Sequence, residues 1–317
     1  DLSIAAGLVP VAHIQDYCVG GVTEVMSIIP RAYRLLRTLK RASAHADAVL
    51  LVDWPEINMR LLRALGERQA GAAYLSPPQA WAWRGHRAKT VAKAGFIGCL
   101  FKFEADWYQA RGCDVTLLRH PLADLKVPAI PEGAGIALLP GSRVPYVRRL
   151  LPIQLRACKV LQQKIPTLRA HLGCAPTVDP AWAQSVAQRE GVQLTIYDGA
   201  DKALKASRVA LVGVGTAALH AALAGRPYVA MAQVSTLTSM IARRLIETPR
   251  FTLPNLILGE GVFPELIQSS CTMDNVIAAT EELLASPEAY VDALNRVRDG
   301  LNEGASFDPV IKFLRSP

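Results

Sequence analysis

Short apolar runs alternate with amphipathic stretches along almost the whole chain. Ala48–Asp53, Ala72–Leu75, Phe96–Phe101, Val115–Leu118, Ile136–Leu139, Ala170–Cys174, Val192–Ile196, Val209–Gly213 and Tyr228–Ala232 are nearly continuous in hydrophobicity. Runs of that kind predict strands covered on both faces. Between them, Asn58–Glu67, Pro145–Lys164, Pro180–Glu190 and Thr216–Ala224 read as helices. This alternation is the rhythm of parallel sheets layered with helices, so the expected class is α/β.

The stretch Lys126–Gly135, KVPAIPEGAG, has weak propensity and carries two prolines and two glycines, as a linker does. It divides the chain into an expected N-terminal Rossmann-like domain (1–126), a C-terminal Rossmann-like domain (127–300) and a C-terminal helix (301–317) that returns to the first. Two doubly wound domains facing a cleft bind ligands at the carboxyl ends of their strands.

Composition narrows the picture. The chain has 317 residues, 51% hydrophobic and 20% charged, which suits about two globular domains. Its net charge of +8 favours an anionic partner. No recognised nucleic-acid reader motif accompanies that charge, so nucleic acid is not expected. The six cysteines form no CxxC pair and read as reduced, mostly buried thiols. The longest charge-free run, Val209–Gly225, is interrupted by Gly213, Gly215, Thr216 and His220 and falls short of a membrane span. Neither a signal peptide nor a natural start is evident before Asp1, and the chain is expected to lack its front.

Two motifs share one physical logic. In IALLPGSR a buried strand runs into Gly141, Ser142 and Arg143 and then a long helix; in VALVGVGTAAL another runs into Gly215, Thr216 and a helix carrying His220. Glycines admit close approach, free helix N–H groups attract anions, and Arg143 can add two charge-assisted bonds to a phosphate. An ordinary strand–helix turn with a solvated Arg gives the same pattern, and a buried, satisfied histidine is the plain reading of His220.

Other candidates surround these. AVLLVDWPEIN sets Asp53 at the carboxyl end of a strand, where an α/β enzyme keeps a catalytic carboxylate, although such an Asp also caps helices; Asn58 shares the ambiguity. YLSPPQAWAWR offers Trp81, Trp83 and Arg84 as a stiff, aromatic, basic loop able to line a sugar or phosphate site, or merely anchored in the core. RHPLAD places His120 beside the cleft. Val25–Ala46 has no acidic residue, and Arg31, Arg34, Arg37, Lys40 and Arg41 recur beside apolar residues at helical spacing. That suits an anionic membrane interface or a solvated helix with one face in the core.

VDWPEIN, YLSPPQAWAWR, RHPLAD, IALLPGSR, VGTAAL, VSTLTSMIARRL, TLPNLI and PELIQ occur in the order and approximate spacing of the lipid-A-disaccharide synthase family, which the chain resembles from about Thr23 to Gln268. The resemblance implies the GT-B type of glycosyltransferase architecture and an inverting, metal-independent transferase with no cofactor. Its substrates would be UDP-2,3-diacylglucosamine and 2,3-diacylglucosamine 1-phosphate, its product the β-1,6 disaccharide and UDP. It further implies Asp53 as base, Arg143 and Gly215–Thr216 against the departing UDP, and Asn255 of LPNL against the nucleotide. Peripheral placement on the cytoplasmic face of the bacterial inner membrane, through the basic helix 31–41, and a homodimer with exchanged C-terminal parts complete the expectation. His220 stands where the family usually has Glu, Gln233 where Arg or Lys is common, and the glycine-rich loop of the first strand is absent. The alternative is a catalytically inactive or re-specified UDP-sugar-binding relative of the same fold.

Overall fold

The structure is a computed structural model that describes residues 7, 9–12, 22–124, 129–131, 133, 135–233 and 248–316, with residues 22–28 as backbone. Half of the expected linker, Cys18 and the VSTLTSMIARRL segment lie outside the described residues.

The order of elements in the first part is α1 (Val22–Ala44), β1 (Val49–Val52), α2 (Pro55–Ala64), β2 (Ala72–Leu75), β3 (Phe96–Cys99), α3 (Lys102–Gln109) and β4 (Thr116–Leu117). The second part runs β5 (Gly135–Leu139), α4 (Val144–Lys164), β6 (Arg169–Cys174), α5 (Pro180–Glu190), β7 (Leu194–Asp198), α6 (Ala200–Lys205), β8 (Val209–Gly213) and α7 (Thr216–Leu223). It continues with β9 (Tyr228–Ala232), α8 (Leu253–Leu258), β10 (Glu265–Ile267), α9 (Met273–Ala285), α10 (Val291–Asn302) and α11 (Asp308–Arg315). Two sheets result, one ordered β1-β2-β3-β4 and one ordered β10-β9-β8-β5-β6-β7, and their pairs are parallel.

Strand periodicity explains the second sheet directly. Ile136 and Leu138 of β5, with Val209 and Leu211 of β8, enter the core under α4, α5 and α9. Ala137, Leu139, Ala210 and Val212 enter the opposite core under α6, α7 and α10. Alternate side chains leave a strand on opposite faces, so a strand covered twice must be apolar throughout.

The first sheet departs from the double coverage its sequence suggests. Leu51 of β1 is 2% exposed, while its neighbours Leu50 and Val52 are 46% and 53% exposed. One face packs on α2, α3 and the half-buried Leu36 and Leu39 of α1. On the other, Leu75, Phe96 and Leu118 meet Phe307, Val310 and Leu314 from α11 and the turn before it. β1 lies at the sheet edge beyond that helix's reach. β10 was not expected either: it is a half-buried edge strand of three residues, too short and polar to stand out.

The chain returns to the first sheet after α10. Ala305 N–H donates to Leu117 O at 2.9 Å and Arg119 N–H to Ala305 O at 2.8 Å, forming a parallel bridge beside β4. Gly304 permits this: its φ is +99°, and a Cβ there would lie 2.7 Å from Leu117 O. The expected single helix at 301–317 is thus the end of α10, a bridge and a separate α11. Phe101, Leu122 and Ala123 join the core of the second sheet, so the carboxyl end of the first sheet packs against the second unit.

Candidate functional site

β5 and β8 are neighbours although they are the first and fourth strands of their sheet, so the strand order reverses between them. Loops diverge at such a point and leave a crevice beyond the strand ends. The PGSR loop leaves β5 there and the VGVGT loop leaves β8. Gly213 ends β8 so close to the other loop that a Cβ would stand 2.9 Å from Pro140 O. Gly141 and Gly215 have φ of +110° and +142°, conformations that favour glycine.

The helices that follow, α4 and α7, have no side-chain cap and no acidic residue in the first turn. Among the described residues no side chain therefore occupies their foremost N–H groups, which can meet an anion, reinforced by the positive end of the helix dipole. Pro145 removes one donor from α4, so α7 supplies more of them. Ser142, Arg143, Thr216 and His220 are exposed at the crevice. Among the described residues, no hydrogen bond or ion pair engages the side chains of Arg143, Thr216 or His220. His220 is accordingly not the buried, satisfied histidine of the plain reading. Thr177, after β6, donates its hydroxyl to Ser142 O and braces the loop; sequence gave no sign of it.

The first sheet collects a second group at its own carboxyl edge. Asp53 and Trp54 both adopt left-handed backbone, with φ of +44° and +40°. Two successive non-glycine residues in that region store strain, which persists only where surroundings fix it. Here Asp53 N–H donates to Leu75 O at 3.0 Å. Asp53 O accepts from Asn58 Nδ2 at 2.7 Å and from Tyr74 Oη at 3.1 Å. Asn58 Nδ2 also reaches Val52 O at 3.0 Å, and Pro55 starts α2. Trp54, not Asp53, is the N-cap of α2, and no side chain caps it.

The Asp53 carboxyl is freed from capping and set at the strand end. Its pKa is raised, chiefly by partial burial; its bond from Trp54 N–H opposes this and the Glu56 charge adds to it. A carboxylate raised in this way is a better proton acceptor. Glu56 is paired with Arg87 at 3.6 Å.

The aromatic loop is half in the core and half out. The Arg84 guanidinium lies 4.3 Å from the Trp83 ring centroid and that of Arg87 5.2 Å from it. Trp81 packs edge-on against Phe103 at 5.0 Å. Tyr108 Oη donates to Pro78 O at 2.6 Å and ties the loop to α3. Phe103 stacks on Phe101, and Phe101 contacts His120 at 5.4 Å. His120 Nδ1 accepts from Leu122 N–H at 3.1 Å, which puts the ring proton on Nε2, and burial lowers its pKa.

Two expected site residues are corrected. Asn58 is 9% exposed and its amide nitrogen is spent on the Asp53 turn, so it builds the site from behind rather than lining a cleft. Asn255 is 1% exposed; its Nδ2 donates to Phe263 O and Glu265 Oε1, and its Oδ1 accepts from Phe263 N–H. Those bonds use both amide protons and one acceptor site, and burial keeps the rest of the side chain from a nucleotide. Glu265 also binds Phe251 N–H, Thr252 N–H and the Thr252 hydroxyl, fixing the start of α8.

The lipid-A-disaccharide synthetase family matches residues 4–305. The lipid-A-disaccharide synthase of Anaeromyxobacter dehalogenans is 35% identical, over 94% of this chain and 83% of that one. The enzyme of the same name from Acidobacterium capsulatum is 32% identical over 90% and 78%. Among solved structures, a spinosyn rhamnosyltransferase complexed with thymidine diphosphate superposes with a TM-score of 0.57 at 11% identity, covering 92% of this chain and 79% of that one. UDP-GlcNAc 2-epimerase from Neisseria meningitidis, bound to UDP-GlcNAc, gives 0.55 at 11% identity over 89% and 80%. At such identities the structural likeness speaks for the fold, while the sequence matches speak for the family. The chain belongs to the lipid-A-disaccharide synthase family of GT-B glycosyltransferases.

Proposed function

We propose that this chain transfers 2,3-diacylglucosamine from its UDP ester to the 6-hydroxyl of 2,3-diacylglucosamine 1-phosphate, with inversion, without a metal ion, and with release of UDP. The observation that carries the reading is the division of labour between the two strand-end groups. One offers to a diphosphate helix N–H groups that no side chain caps and a guanidinium unpaired among the described residues. The other offers a carboxylate of raised pKa. Asp53 takes the hydroxyl proton as the acceptor oxygen attacks the anomeric carbon. The bond to the diphosphate breaks as the new bond forms, and Arg143 with the α7 start stabilises the leaving charge. Thr216 and His220 line the nucleotide side; Trp81, Trp83, Arg84 and His120 border the acceptor side. The experiment is incubation of the protein with both acylated substrates in a chelator: UDP and a β-1,6 disaccharide should appear together. Tight UDP binding without disaccharide would favour the inert binder instead.

The same reading seats the enzyme on the cytoplasmic face of the inner membrane. Arg31, Arg34, Arg37, Lys40 and Arg41 of α1 are exposed, together with Ile29 at 56% and Tyr33 at 67%. No helix among the described residues is long and apolar enough to cross a membrane. Cations beside exposed apolar groups suit anionic headgroups over acyl chains. Reversing the charge of Arg31, Arg34 and Arg37 should reduce sedimentation with anionic vesicles, most at low salt. In a dimer with exchanged C-terminal parts, α11 would occupy the partner's first sheet.

A further inference from the structure

Glu104 is a carboxylic acid, 3% exposed, in the first turn of α3. It sits in the core of the first sheet, yet among the described residues no counter-ion is bonded to it and its Oε2 makes no well-aligned hydrogen bond. Trp81 Nε1 is likewise buried and makes no well-aligned hydrogen bond among the described residues. The two groups are neighbours: the Trp81 indole N–H and the Leu100 backbone N–H both favour the ionised carboxyl, while the Asp53 charge opposes it. Trp81 also packs on Phe103, the residue before Glu104. The acid therefore stands where the WAWR loop, the end of β3 and the end of β1 converge.

We propose that Glu104 is a positioning residue for the acceptor side: buried next to Phe103, on which Trp81 packs, it holds in place the 76–84 loop, whose start is bonded to Asp53 through Leu75. A buried polar group kept at a functional site without full satisfaction calls for an explanation, and proximity to Asp53 supplies one. The inference rests on Asp53 being the working carboxylate. Burial pushes the Glu104 pKa up to about 8, with the Asp53 charge adding to the rise. Cys99 and Tyr108 also face it, and both are raised by burial first and by its charge second. Neither is a cation, so ionised Glu104 is a second negative charge in a dry pocket. Such a charge draws water in and loosens Trp81 from Phe103.

Three measurements test this on the full chain. Glu104→Leu should raise the acceptor KM about tenfold with a smaller effect on kcat, a difference near 1.4 kcal/mol, and Glu104→Gln should restore it. Wild-type tryptophan fluorescence should shift between pH 7 and 9, with Trp81→Phe identifying the responsible ring, and Glu104→Gln should abolish that shift. An unchanged acceptor KM in Glu104→Leu, or a fluorescence shift that persists in Glu104→Gln, overturns the proposal. If Glu104→Leu does not fold, the Glu104→Gln fluorescence titration decides alone. An active Asp53→Asn enzyme would instead refute the base assignment; it leaves the fluorescence test of the Glu104 pocket standing.

Discussion

The Asn58 side-chain amide donates to the main-chain carbonyl of Asp53 at 2.7 Å, across a turn in which Asp53 and Trp54 are both left-handed. The bond holds the carboxylate's backbone in a strained conformation. Asn58→Ala removes the donor that serves both Val52 O and Asp53 O. Loss of a buried donor of this kind costs about 1–3 kcal/mol. The variant should melt lower and lose kcat more than it gains KM, because the strained turn relaxes and re-aims Asp53. Calorimetry and steady-state kinetics on the same preparation check both.

The raised pKa of Asp53 fixes the direction of its pH dependence. A base works ionised, so activity is present above its pKa in the folded protein and falls as pH drops through it. Because that value lies above the ordinary one, the acid limb of kcat/KM should lie above the usual aspartate range. Glu56→Gln, which removes a charge that raises Asp53, should move the limb to lower pH. A pH–rate profile of the two proteins measures the shift.

Gly213 tests the closeness of the two glycine-bearing loops. In Gly213→Ala the new Cβ would meet Pro140 O at 2.9 Å, and neither partner is a flexible side chain. The loops must spread, at a cost of about 1–3 kcal/mol. UDP affinity measured by titration calorimetry should fall, while near-UV spectra of the first sheet's aromatic groups stay unchanged.

Glu104 gives a stability signature with a definite sign. Its ordinary pKa of 4.5 rises to about 8 in the folded protein. Below about pH 4 both states hold the proton. Between the two values the folded state retains a proton that the unfolded state has released, so stability falls by about 1.4 kcal/mol per pH unit as pH rises. Glu104→Gln carries no such titration. Its stability relative to wild type should be greater at pH 7 than at pH 4 by on the order of 3 kcal/mol, read from denaturant unfolding at the two pH values.

Much of this was legible in the sequence for a physical reason. β2, β8 and β9 fall at Ala72–Leu75, Val209–Gly213 and Tyr228–Ala232 as expected, because doubly covered strands must be apolar end to end. The two glycine-bearing loops announced themselves through the strand–glycine–helix pattern. What was hidden depends on contacts distant in sequence or on small polar differences. Asn255 looked like a ligand group until Phe263 and Glu265 appeared as its partners. Asn58 could not be separated from a cleft residue without the backbone of the Asp53 turn. Glu104 reads as one more solvated acid, although it lies four residues before the buried Tyr108, on the stripe that faces the core.

The central claim, that one strand-end group grips the diphosphate and the other takes the proton, is tested most directly by comparing Asp53→Asn with Arg143→Ala for UDP affinity and for turnover. Asp53→Asn should bind UDP within about twofold of wild type and lose at least ~100-fold in kcat, the scale of a positioned general base. Arg143→Ala should weaken UDP binding by about tenfold or more, as expected for loss of a charge-assisted pair. Wild-type turnover by Asp53→Asn, or undiminished UDP affinity in Arg143→Ala, would contradict the account.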